Sequence, residues 1–253
     1  MSIKPIPISE IGELEPDLPE ASSKRPGRRL RGAVANYLGR AIVSGEIKPG
    51  ERLTGEVENA VALNVSRSAY REAVQVLTAK GLVESRPKTG TIVLARTRWN
   101  LLDPMVLAWA FSGDPNMELV RDLFELRRII EPAAARFAAE RRSREDLKAM
   151  KDALARMRRH TLASEEGRIA DRNFHDALLR AAHNDVLMVM SASIGSAVNW
   201  TTLHKQRSRA LPRDPVPDHA TVFEAIAAGD PDEADAAMCK LIDLALEDTR
   251  SAM

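Results

Sequence analysis

From Leu30 to Val43 the apolar residues Leu30, Val34, Tyr37, Leu38, Ala41 and Ile42 recur at helical spacing, which predicts a helix that stops near Gly45. Lys48-Pro49-Gly50 is turn chemistry, and a short helix is expected over Glu56 to Leu63. Ser66 then offers a side-chain oxygen as an N-cap to a helix running to Lys80, and Gly81 stands where a left-handed C-terminal residue is wanted. Tyr70, Ala73, Val74 and Leu77 form that helix's inward stripe, leaving Arg67, Ser68, Arg71 and Gln75 on the other face. Two β-like runs, Leu82–Ser85 and Thr91–Leu94, flank the polar turn Arg86-Pro87-Lys88-Thr89-Gly90. Three helices followed by a hairpin make a winged helix-turn-helix.

Beyond Pro104 the strand signals end and helical periodicity continues to the C-terminus. Met117 to Ala139 is an amphipathic stretch that Pro132 should kink or restart. Ser143 and Asp146 look like a capping box for a helix to about Arg159. Further helices are expected from about Arg168 to Ala182, from an Asp185 cap to about Trp200, over Asp218–Ala228, and over Pro231–Ser251 after Gly229 and Asp230, with a loop from Gln206 to Pro217. The fold class expected is therefore mainly α: a winged helix joined to an all-α antiparallel bundle. The expected division is a disordered segment over 1–28, a winged-helix domain over 29–95, a linker over 96–115 and a helical domain over 116–253.

Composition narrows the function. At 253 residues, 44% hydrophobic and 29% charged, the chain is long enough for one large domain or two ordinary ones. No apolar run reaches the roughly 18 residues of a membrane span, and the first twenty residues lack the order of a secretory signal, so a cytoplasmic location is expected. A single cysteine, Cys239, excludes an internal disulfide. The net charge of +1 hides a strong asymmetry: counting Lys and Arg against Asp and Glu gives −4 over residues 1–23, +9 over 24–98 and −4 over 99–253. A basic block of domain size suits a polyanion.

The chemistry of that block suits duplex DNA. A helix fits the major groove, and an arginine can bond the O6 and N7 of guanine together. Arg67 and Arg71 lie one turn apart on the polar face, with Gln75 a turn further on. Ser66, Ser68 and the free N–H groups of the helix start suit a phosphate, and Lys88, Thr89 and Gly90 form the hairpin tip. In the second block Asp171 and His175 stand at i and i+4 on a face shared with Phe174, Leu178 and Ala182, and so point inward. A buried carboxylate and imidazole are costly unless they bind a metal, a ligand or each other. His219 is a candidate third ligand, and both a metal site and a satisfied Asp–His contact remain open. There is no HExxH, GxSxG or phosphate-cradling glycine loop, and no enzyme activity is expected.

Gly45 to Val93 resembles the N-terminal domain of GntR-superfamily transcriptional regulators, through Gly-Glu-Ile-Lys-Pro-Gly at 45–50, Leu53 to Glu56, Val65-Ser66-Arg67, Arg71-Glu72-Ala73, Lys80-Gly81-Leu82 and Gly90-Thr91-Ile92-Val93. The resemblance implies operator contacts by Arg67 and Arg71 and a wing in the minor groove. The chain departs from the pattern at Val57, where an arginine is common, and at Asn59, where an apolar residue is usual. Glu125 to Pro132, Asp171 to His175, Ala181 to Asn184 and His219 to Asp230 resemble the ligand-sensing FCD domain of FadR-type members. That resemblance implies a divalent metal, zinc or similar, on Asp171, His175 and His219. The fourth ligand position of the family is Leu241 here. It also implies an effector pocket for a small organic acid formed by Arg127, Asp171, His175, Asn184 and His219, although Arg127 can equally pair with Glu131 or Glu125, and Asn184 can equally be a turn residue. The segment Arg98 to Trp109 is similar to that of sugar-acid operon repressors of the superfamily. A homodimer on double-stranded operator DNA, released by galactonate or a related aldonic acid, is what the likeness implies.

Overall fold

The computed structural model describes residues 26–53, 55–87, 89–113, 116–208 and 213–251, with the side chains of 26–31 and 206–208 excepted. The expectation of disorder over the N-terminal segment falls almost wholly outside these residues, and so does Lys88. The chain divides into two compact units, Met1–Asp114 and Pro115–Met253.

The first unit contains α1 (Pro26–Val43), α2 (Glu56–Ala62), α3 (Arg67–Ala79), β1 (Val83–Arg86), β2 (Gly90–Val93), a 3-10 turn at Arg96–Arg98 and α4 (Pro104–Ala110). Ser66 caps α3 by accepting a hydrogen bond from the Ala69 N–H at 3.2 Å. Tyr70, Ala73 and Leu77 are buried against Val34, Leu38 and Ile42 of α1. The strands pair antiparallel from Val83↔Val93 to Arg86↔Gly90, and residues 50–53 run along the free edge of β2, where the Val93 N–H donates to the Glu51 carbonyl at 3.0 Å. Asn59, polar where the family pattern is apolar, is fully buried and donates from Nδ2 to the Tyr70 hydroxyl at 2.6 Å. A pair satisfied in this way avoids the cost of an orphaned amide.

The segment expected as a linker over 96–115 packs, as far as Gly113, with the winged helix. Lys80 Nζ lies 2.8 Å from both carboxylate oxygens of Asp103, which also caps α4 by accepting from the Met105 N–H. Trp109 Nε1 donates to Asn36 Oδ1 of α1 at 2.9 Å, and a Cβ on Gly39 would come within 2.5 Å of the Trp109 ring. Burial of Trp99 and Trp109 holds this stretch to the first unit.

The second unit contains α5 (Met117–Arg141), α6 (Arg144–His160), α7 (Glu165–Ala181), α8 (Asp185–Met188), α9 (Ser191–Ser208), α10 (Val216–Ala228) and α11 (Pro231–Ser251), with no strand among its described residues. Helix α5 packs on α11, α6 on α7, and α10 on α11. Of the two alternatives at Pro132 the restart falls away, and two further expectations need correction. Pro132 does not restart a helix: α5 continues through it for 25 residues, because Pro132 and the Ala134, Ala135, Ala138 and Ala139 that follow are buried among neighbouring helices. Packing outweighs the missing hydrogen bond. The helix expected from Asp185 to Trp200 is a short α8 capped by Asn184 and a separate α9 that reaches Ser208. Finally, the expected loop 206–217 carries helix at both ends, since α10 opens at Val216; residues 209–212 lie outside the description.

Candidate functional sites

On the first unit, Ser66, Arg67, Ser68, Arg71 and Gln75 are all exposed along one face of α3. Ser66 Oγ and Ser68 Oγ lie 3.0 Å apart at the helix start. Gly90 is exposed at the hairpin tip and Thr89 half-buried beside it. Arg71 is not bare: its Nη2 donates to Glu56 Oε1 of α2 at 3.0 Å, with the two side chains 68% and 35% exposed. So exposed a pair contributes little to stability, and a phosphate or a base edge can compete for the guanidinium. The sequence reading gave Glu56 no role. Its proximity to Arg71, fifteen residues away, depends on how α2 crosses α3.

In the second unit Asp171 and His175 of α7 face His219 of α10, all three buried, with one potential ligand atom from each inside a 4.8 Å cluster. Ring protonation follows from what surrounds the imidazoles. His219 Nδ1 lies 2.8 Å from the Pro215 carbonyl, which can only accept, so the proton is on Nδ1. His175 Nδ1 is hydrogen-bonded to Glu131 of α5, a carboxylate that also accepts from Arg127 Nε at 2.6 Å. Burial pushes the Glu131 carboxyl upward, but the charges of Arg127 and His175 and their hydrogen bonds outweigh it and bring it down to about 2. Ionised, Glu131 accepts, and His175 also carries its proton on Nδ1. His219 Nε2 and His175 Nε2 lie 3.0 Å and 3.7 Å from Asp171 Oδ1.

Asp171 is itself ionised: burial raises its carboxyl, but His219, His175 and Arg127 together lower it to about 2. Three potential ligand atoms converge here. Although His219 Nε2 and Asp171 Oδ1 are within contact distance, neither has a hydrogen-bond partner, and both are shielded from water. An outer acceptor on each imidazole and orphaned inner donors are the arrangement a divalent cation requires. Asp171, His175 and His219 would hold the ion. Leu241, 2% exposed on the same cavity wall, contributes no ligand atom.

Around this cluster the cavity is lined by Arg127, by Thr201, Thr202 and Lys205 of α9, by Arg213, and by Asp248 of α11. It encloses about 30 Å³, room for an ion and a water or two. Arg127 both pairs with Glu131 and reaches the cavity wall. Asn184 is not brought to this cavity: its Oδ1 accepts from the Val186 and Leu187 N–H groups as the cap of α8. Glu131 and Lys205 escaped sequence reading as site residues. Val198, Thr201 and Lys205 follow the i, i+3, i+7 spacing, which extending α9 past Trp200 would have exposed.

A basic winged helix in one unit and a helical bundle with a buried polar pocket in the other place the chain in the class of DNA-binding regulators. Residues 30–93 match the family described as bacterial regulatory proteins, gntR family, and residues 122–244 match the FCD domain. The galactonate operon transcriptional repressor of Escherichia coli K12 is 35% identical over 208 residues, 81% of this chain and 90% of the relative. The Uxu operon transcriptional regulator of the same organism is 32% identical over 227 residues, 86% of this chain and 84% of the relative. The solved structure of Lar from Listeria monocytogenes aligns with a TM-score of 0.64 at 21% identity, covering 91% of this chain and 99% of that one. The chain belongs to the GntR family of bacterial transcriptional regulators, carries an FCD domain, and is a DNA-binding regulator and not an enzyme. None of its described helices is long and apolar enough to cross a membrane.

Proposed function

We propose that this chain acts as a cytoplasmic homodimeric repressor of a sugar-acid catabolic operon and leaves its operator when a small organic acid enters the second unit. The carrying observation is the buried convergence of Asp171, His175 and His219 beside Arg127, a set of charged and imidazole groups that packing a helical bundle does not call for. The ion, when bound, supplies a Lewis-acid centre that an oxygen of the acid can approach. Glu131 holds the His175 ring in its tautomer, the Pro215 carbonyl holds that of His219, and Arg127 carries positive charge at the wall. The printed names of the two Escherichia coli relatives support a sugar-acid operon.

Ser66, Arg67, Ser68, Arg71, Gln75 and the wing at Lys88, Thr89 and Gly90 are the surface offered to DNA. Two copies related by a two-fold axis read two half-sites. With about four phosphates neutralised per copy, the slope of log K against log salt is roughly −7. A coupling of about 1–3 kcal/mol between acid and operator weakens DNA binding roughly 5- to 150-fold. A mobility-shift assay on the gene's own upstream DNA, with and without galactonate, tests the reading. Arg71→Ala is expected to abolish the specific shift in a chain that remains dimeric. Unchanged operator affinity in that variant would remove α3 from the interface.

A further inference from the structure

Three cations stand at the buried cavity of the second unit, and two are already engaged. Arg127 gives its Nε to Glu131, and Arg213 is paired with Asp218 and, from Nε at 2.9 Å, with Asp248. The third, Lys205, is 7% exposed on the cavity-lining face of α9 and has no hydrogen-bonded or ion-paired partner among the described residues. A cation largely buried and left without a partner is one that an arriving anion can pair with. Burial pushes Lys205 down to about 8, against the pull of Asp171 and Asp248, so it still carries its proton at neutral pH. One helical turn before it, the Thr201 hydroxyl donates to the Ala197 carbonyl at 2.7 Å, which leaves its oxygen free to accept.

We infer that Lys205 is the residue that recognises the effector's carboxylate, with Thr201 beside it accepting from a ligand hydroxyl, so that the site selects a hydroxylated monocarboxylate. This rests on the effector reading above. One cation at the cavity without a carboxylate partner, Lys205, calls for one carboxylate.

Calorimetric titration of the full-length chain with galactonate, and with galactitol as its uncharged counterpart, tests the inference. Wild type is expected to bind galactonate and to discriminate strongly against galactitol. Lys205→Met should lose roughly 10- to 100-fold in galactonate affinity and most of that discrimination, and Lys205→Arg should recover part of both. The operator shift in the absence of acid should stay at the wild-type level in Lys205→Met, because the DNA-binding face of the first unit does not use the ammonium. Should Met disturb the packing, as a lowered melting temperature would reveal, Lys205→Gln makes the same comparison. Wild-type galactonate affinity in a folded variant overturns the assignment and leaves the effector reading standing. A wild-type chain that shifts its operator yet binds none of galactonate, gluconate or lactate overturns both.

Discussion

Glu131→Gln is the sharpest perturbation of the buried network, because it removes one charge and almost no volume. Glu131 is fully buried between Arg127 and His175, whose side chains are 4% and 2% exposed. A carboxyl brought from its usual 4.5 to about 2 contributes about 3 kcal/mol of folding stability at neutral pH. Removing one member of a buried ion pair costs about 3–5 kcal/mol by a separate route, and the amide oxygen that can still accept from Arg127 favours the lower end. Because this carboxyl is depressed in the folded chain, its contribution is complete above about pH 5. It is lost as pH falls from 4.5 toward 2, since the unfolded chain takes up the proton first. Urea unfolding followed by helical circular dichroism should therefore show Glu131→Gln less stable than wild type by about 3 kcal/mol at pH 7, and by roughly half as much at pH 3. The same variant should bind zinc roughly 10- to 100-fold more weakly, because His175 loses the acceptor that holds its ring. Equal stabilities at pH 7, or a gap as large at pH 3 as at pH 7, would refute the ion-paired description of Glu131.

Two further outcomes follow from the packing and the metal cluster. Zinc in about hundredfold excess over its dissociation constant should stabilise wild type by about 2.7 kcal/mol, seen as a rise of a few degrees in melting temperature that chelator reverses. His219→Ala should show no such rise, and an undiminished one would place the ion elsewhere. Gly81→Ala should destabilise the first unit by more than about 2 kcal/mol, because φ is +72° and the new Cβ would come within 2.2 Å of the Arg98 carbonyl oxygen. Gly45→Ala, also at positive φ but with open space around it, should cost only about 1 kcal/mol. Similar losses for the two would show that the turn conformation alone, and not the close approach of residue 98, constrains Gly81.

The amino-acid order alone determined what depends on neighbours within a few residues. The Ser66 cap, the Ser143–Asp146 capping box and the turn at Gly229 are completed inside one helical turn, so their residues announce them. The exposed arginines of α3 and the i, i+4 pair Asp171 and His175 were legible for the same reason: the helical period puts them on one face whatever packs around them. Tertiary structure alone decided which distant groups meet. The helix through Pro132 survives because burial among other helices offsets one missing hydrogen bond. The stretch after Arg96 belongs with the winged helix because two tryptophans and the Lys80–Asp103 pair secure it there. Glu131 beneath His175, and Lys205 facing the same cavity from α9, lie 44 and 30 residues from the imidazole they serve or face, counted along the chain. No local period carries that proximity; it arises where apolar faces bury one another and bring their few polar members into a common space.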